Sequence, residues 1–158
     1  YGDEQEVPVA VTYIVARTLK TPFGDTPLPG GGASIYQADD AGRLQLIGAS
    51  GIGHTAAGQP MELDAGTAFD ITAKRTQTTY TSARDKNGRY TATADYSVSL
   101  ANATDSATVD VYEERAGDWS VLQSSIPGDR VSSTRVRFRV VVPARGEATL
   151  TYRIKASW

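Results

Sequence analysis

Apolar and polar residues alternate along most of this chain. Tyr90, Ala92, Ala94, Tyr96, Val98 and Leu100 share one parity, and Thr91, Thr93, Asp95, Ser97 and Ser99 take the other. Successive side chains of a strand face opposite ways, so this stretch predicts a long, half-buried strand. Val136, Phe138, Val140 and Val142 repeat the pattern against Arg135, Arg137 and Arg139, as do Ala148, Leu150, Tyr152 and Ile154 against Thr149, Thr151, Arg153 and Lys155. Stretches rich in Val, Thr and Tyr predict further strands at 7–17, 33–37, 44–47, 61–63, 69–82, 108–113 and 120–123. Helical periodicity is nearly missing.

Turn residues fall where hairpins need them. Asp39-Asp40-Ala41-Gly42 and Ala144-Arg145-Gly146 each separate two predicted strands. Asp85-Lys86-Asn87-Gly88 closes a long predicted hairpin over residues 69–102. Roughly ten short strands with turns between them predict an all-β fold, an immunoglobulin-like β-sandwich with that hairpin extended. The stretch 18–32 differs. It holds Pro22, Pro27, Pro29 and Gly30-Gly31-Gly32, which predict an irregular connector. The expected division is therefore an N-terminal strand at 1–17, a connector at 18–32 and a sandwich at 33–158.

Composition narrows the function classes. The 158 residues are 40% apolar and 22% charged, as a folded globular chain requires. Sixteen basic and 18 acidic residues leave a net charge of −2. That lacks the basic excess of a nucleic-acid binder. Cysteine is absent, which excludes disulfides, thiolate metal sites and a cysteine nucleophile. No apolar run is long enough for a membrane-spanning helix. The chain begins at Tyr1, not Met, and is expected to be a processed form or an excised fragment.

Candidate chemistry is sparse. His54, in Gly51-Ile52-Gly53-His54-Thr55, is the one histidine. It suits general-base work, but no G-x-S-x-G elbow accompanies it, and a structural role is expected. Asp39-Asp40 and Glu113-Glu114 are adjacent carboxylates, which diverge to opposite faces on a strand. A glycosidase needs two that face each other across ~5–10 Å. Gly30-Gly31-Gly32 precedes a strand rather than a helix, so it reads as a connector and not a phosphate cradle. No metal or cofactor site is expected.

Three features concern binding. Arg135, Arg137 and Arg139 form a basic stripe and, with Tyr112, a candidate ligand face. Acidic neighbours on adjacent strands would neutralise it instead. Trp119 is expected in the core, while Tyr112, opposite in parity to Val109 and Val111, is expected on the surface. Asn102-Ala103-Thr104 is a formal glycosylation sequon. Val7, Val9, Val11, Tyr13 and Val15 lie on a strand followed by the connector. Such a strand could leave its own sheet and complete a neighbour's, forming a fibre.

Several stretches occur in a distinctive order: Gly42-Arg43-Leu44-Gln45-Leu46-Ile47-Gly48, Ile52-Gly53-His54-Thr55, Gly66-Thr67-Ala68-Phe69-Asp70-Ile71, Gly117-Asp118-Trp119-Ser120-Val121-Leu122, Ser124-Ser125-Ile126-Pro127, and Val142-Pro143-Ala144-Arg145-Gly146-Glu147-Ala148-Thr149-Leu150-Thr151-Tyr152, with a terminal Trp158. Together they resemble the C-terminal β domain of bacterial mucoidy-inhibitor-like proteins, a domain of unknown function, over roughly residues 9–158. The resemblance implies an exported protein, placed in the periplasm, at the cell surface or outside the cell. It supplies no catalytic residues. Many such proteins carry an N-terminal domain and a coiled coil before this domain, and neither occurs in these 158 residues.

The expected function is a non-enzymatic interaction or assembly module that binds a protein partner, or itself, through sheet faces or edges. A cell-surface carbohydrate-binding module is the alternative, with a hydrolase behind it.

Overall fold

The structure, a computed structural model, describes residues 2, 4–84, 86 and 88–158. These residues form twelve strands and no helix: β1 (Glu4–Val7), β2 (Ala10–Val15), β3 (Gly31–Ala38), β4 (Leu44–Ile52), β5 (Met61–Thr67), β6 (Ile71–Arg84), β7 (Tyr90–Asn102), β8 (Ala107–Glu114), β9 (Asp118–Ser124), β10 (Gly128–Arg130), β11 (Arg135–Val142) and β12 (Glu147–Ser157). All pairings are antiparallel.

The chain divides into two compact units. One joins Tyr1–Pro8 to Phe69–Trp158, and the other is Val9–Ala68. The second unit is thus inserted between β1 and β6 of the first. The boundaries fall at 8/9 and 68/69 rather than at 17/18 and 32/33. Pro8 explains the first of them. It has no N–H for a sheet ladder, which favours a break between Val7 and the rest of the run 7–17. The run gives Val7 to the end of β1, paired with β6, and Ala10–Val15 to β2, paired with β5.

The larger unit holds two sheets, ordered β1-β6-β7-β12-β9 and β10-β11-β8. Phe138 of β11 stacks on Tyr152 of β12 with centroids 5.1 Å apart, so the sheets pack face to face. The long strands bury the parity predicted for them, except that Tyr90, at the start of β7, is 40% exposed. Ala92, Ala94, Tyr96, Val98 and Leu100 of β7 meet Val136, Phe138, Val140 and Val142 of β11 in the core. Leu100, Phe138, Val140, Val142 and Leu150 are fully buried. Each such burial is worth about 1.5–3 kcal/mol. The expected hairpin is present as β6 and β7, paired from Ile71↔Asn102 to Arg84↔Tyr90. Its predicted turn at Asp85 and Asn87 lies outside the described residues. Strand β10 was not expected. A Cβ on Gly128 would come within 2.7 Å of the Phe138 ring, so the glycine permits this short strand to close over the core.

The inserted unit holds two pairs, β2–β5 and β3–β4. The β3–β4 turn is the predicted one. Gly42 adopts φ +76°, and Asp39 accepts N–H bonds from Ala41 and Arg43. The Arg43 N–H holds the Asp39 carboxyl below its ordinary pKa. A Cβ on Gly48 would meet Ala65 Cα at 3.4 Å and Ile35 Cδ1 at 3.6 Å, so one face of β3–β4 packs closely on β5. Strands β4 and β5 run further than their apolar cores predicted, to Ile52 and Thr67.

Candidate functional site

The other face of the β3–β4 hairpin is exposed and apolar. Directly opposed residues of an antiparallel pair share a face. Tyr36 opposes Leu46, Ala38 opposes Leu44, and Ser34 opposes Ala49. Tyr36, Leu46 and Leu44 are 55%, 60% and 69% exposed. Strands with one face in water ordinarily alternate apolar with polar residues, yet the outward positions Tyr36, Ala38, Leu44 and Leu46 are apolar. Neither β3 nor β4 carries a charged side chain. Scattered exposed hydrophobics are normal, but a contiguous patch marks an interaction surface.

The outer face of β8, β11 and β10 is the reverse case. Arg135 pairs with Glu114 at 2.7 Å, Arg137 with Asp129 at 3.1 Å, and Arg139 with Asp110 at 2.9 Å. Arg139 holds the Asp110 carboxyl below its ordinary pKa. Tyr112 is exposed, with the Arg135 guanidinium 5.5 Å from its ring centroid. The stripe is therefore brought together as sequence suggested, but three carboxylates balance its three cations.

The candidate exchange residues are split between the two units. Val7 ends β1 opposite Ala73. Val9 lies between strands, and its carbonyl accepts the Ala68 N–H at 2.7 Å. Val11, Tyr13 and Val15 lie on β2, with Tyr13 opposite Leu63 and Val15 opposite Met61. They are not one detachable strand.

His54 lines a shallow hollow of ≈ 550 Å³ with Pro27, Leu28, Pro29, Thr55 and Ala56. Its Nδ1 accepts the Gly30 N–H at 3.2 Å, and the Thr55 hydroxyl donates to the Gly53 carbonyl. The lining residues include no carboxylate, and the imidazole pins the connector. Arg17, which carried no sequence signal, does the same more firmly. Though only 5% exposed, it donates to the carbonyls of Phe23, Thr26, Ala56 and Gln59. Among the described residues, no group of three or more His, Cys, Asp or Glu could hold a metal ion. The sequon residue Asn102 is buried, and its Nδ2 donates to the carbonyls of Asp105 and Pro143. A glycan has no access to that nitrogen in the folded chain.

A second unexpected cluster sits inside the sandwich. Glu113 of β8 is 5% exposed and accepts from Arg75 at 2.9 Å, Arg115 at 2.9 Å and the Tyr152 hydroxyl at 2.6 Å. The Tyr96 hydroxyl receives Arg115 and donates to Gln77. Burial and the Glu113 charge push the Tyr152 pKa up. Burial lowers the Arg75 pKa, but Tyr152 and Glu113 outweigh it and raise the value. All these groups satisfy one another. The cluster has no second carboxylate, so it ties β8 to β6, β7 and β12 rather than forming a paired acid site.

A stacked aromatic pair is also exposed. Trp158, 62% exposed, stacks on Tyr90 with centroids 6.1 Å apart, and Arg84 lies 4.1 Å above the Tyr90 centroid.

The chain matches no family model, no curated protein and no solved structure at a significant level.

Proposed function

We propose that this chain is an exported, non-enzymatic interaction module whose contact surface is the outer face of the β3–β4 hairpin. The carrying observation is the exposure of Tyr36, Leu44 and Leu46 on two strands without a charged residue. Burying such a face against another protein removes apolar area from water, at roughly 25 cal/mol per Å². The export assignment comes from the resemblance to the mucoidy-inhibitor-like domain. That resemblance remains part of the proposal, and several of its motifs fall on turns and strand ends here. The immunoglobulin-like label is likewise part of the proposal, supported by two antiparallel sheets packed face to face, although the last strand, β12, lies between β7 and β9.

Light scattering tests the reading in its self-assembling form. The mass is expected to exceed 16.8 kDa as concentration rises. The variant Leu44→Lys/Leu46→Lys is expected to lower it with unchanged circular dichroism. A mass of 16.8 kDa at every concentration for both proteins would refute assembly through this face.

The Tyr90–Trp158 stack favours a second reading, a carbohydrate-binding module. Stacked, exposed rings offer a flat apolar platform with a cation beside it. Trp158 fluorescence titrated against a glycan panel decides it. Saturable quenching lost in Trp158→Ala supports sugar binding, and no response at millimolar glycan removes it.

A further inference from the structure

Resting on the interaction reading, we infer that two copies of this chain pair along β3, joining their hairpins into one four-stranded sheet. Strand β3 pairs with β4 alone. Among the described residues, Gly31–Ala38 make no backbone hydrogen bond outside that ladder. Its outer N–H and C=O groups form an open edge, and open edges recruit strands unless guarded.

The other edges are guarded. Strands β1 and β10 are only four and three residues long. Strand β8 carries Asp110, Glu113 and Glu114. The β9–β12 ladder shifts register at Arg153/Ile154. In the inserted unit, β5 carries Glu62, Asp64 and the extra residue of its ladder with β2, and β2, though uncharged, is shorter at six residues. Strand β4 contains the extra residue Ile47, and its Ser50 hydroxyl already accepts the Asp64 N–H at 3.0 Å. Strand β3 has eight residues, no charge, no proline and no extra residue of its own.

A second copy is the partner that this edge fits. Two identical edges related by a two-fold axis pair antiparallel, and each gives the contacts it receives. No like charges meet, because none are present. A two-stranded hairpin is marginal alone, and pairing raises it to four strands. With Ile35 on the axis, Tyr36 of each copy lies opposite the partner's Ser34, where a small side chain leaves room for the ring. The two apolar outer faces then become one continuous surface.

Cysteine trapping tests this in the full chain, which has no native cysteine. Single variants Ser34→Cys, Ile35→Cys, Tyr36→Cys and Leu46→Cys are oxidised mildly. Opposed Cα atoms on paired strands lie about 4.5–5.5 Å apart, within disulfide reach. Ile35→Cys is expected to form covalent dimer at least ten times faster than Ser34→Cys or Tyr36→Cys. In cysteine-free chain, Ser34→Lys is expected to lower the light-scattering mass. Trapping at Leu46→Cys with none on β3 would overturn edge pairing while leaving the outer face as a contact surface. No trapping anywhere, with a mass of 16.8 kDa throughout, would overturn both.

Discussion

Replacing Glu113 by alanine removes the carboxylate that Arg75, Arg115 and Tyr152 share. Breaking a fully buried ion pair from one side costs about 3–5 kcal/mol, because the remaining charge stays in a poor environment. Here the two cations can partly rehydrate. The Arg75 and Arg115 side chains keep 28% and 33% exposure. Tyr152 cannot rehydrate as easily, and a buried hydroxyl without its acceptor costs about 1–3 kcal/mol. Together these place Glu113→Ala near 3 kcal/mol, the low end of the buried-pair range. At about 2–4 °C per kcal/mol for a chain of this size, the melting point falls by about 6–12 °C. Glu113→Gln keeps an acceptor for Tyr152 and loses only the charge, so about 1–2 kcal/mol is expected.

Urea unfolding followed by tryptophan fluorescence is the assay. Trp119 and Trp158 both belong to the larger unit, so the signal reports the sandwich rather than the inserted unit. The midpoint should move while the slope stays constant. A loss under about 1 kcal/mol for Glu113→Ala would refute the view that this cluster clamps the two sheets together.

Phe138→Ala, at the centre of the sandwich, is expected to cost about 3–5 kcal/mol by the same assay. Arg153 and then Thr79 hold the Asp95 carboxyl down to a pKa of about 2. An unfolded aspartate titrates near ~4, so this pair contributes stability above about pH 4 and loses it as pH falls to 2. Arg153→Ala should therefore destabilise slightly at pH 7, with the gap to wild type closing by pH 2. Arg17→Met should speed amide exchange in residues 21–28 at least tenfold with the larger unit unaffected, since four loop carbonyls lose their donor. Unchanged exchange there would show that the connector holds itself.

What the sequence shows and hides follows from the range of each interaction. Strand parity is local, so the buried faces of β7, β11 and β12 were legible from alternation. Glu113 was half legible. Its parity matches Val109 and Val111, so it had to point inward, while Glu114 had to point out toward Arg135. Its partners Arg75 and Tyr152 lie 38 and 39 residues away, and no spacing rule reaches them. The inserted unit was illegible for a similar reason. Strand β1 pairs with β6 some 70 residues later, and that choice belongs to the assembled sheet. Arg17 was hidden more completely, because its acceptors are backbone carbonyls, which every residue has.

The β3–β4 face is the instructive case. Alternation there does not fail through noise. The parity of Tyr36, Leu44 and Leu46 carries Ser34 as its one polar side chain, so that face is poorly suited to water. One face packs on β5, as the close approach of Gly48 to Ala65 shows. A two-stranded hairpin has only two faces, and the second still carries Tyr36, Leu44 and Leu46. Elsewhere the same chain dresses a solvent face with three arginines and three carboxylates. The contrast within one molecule argues that the apolar face is a surface awaiting cover, and that its partner supplies the third layer the inserted unit lacks.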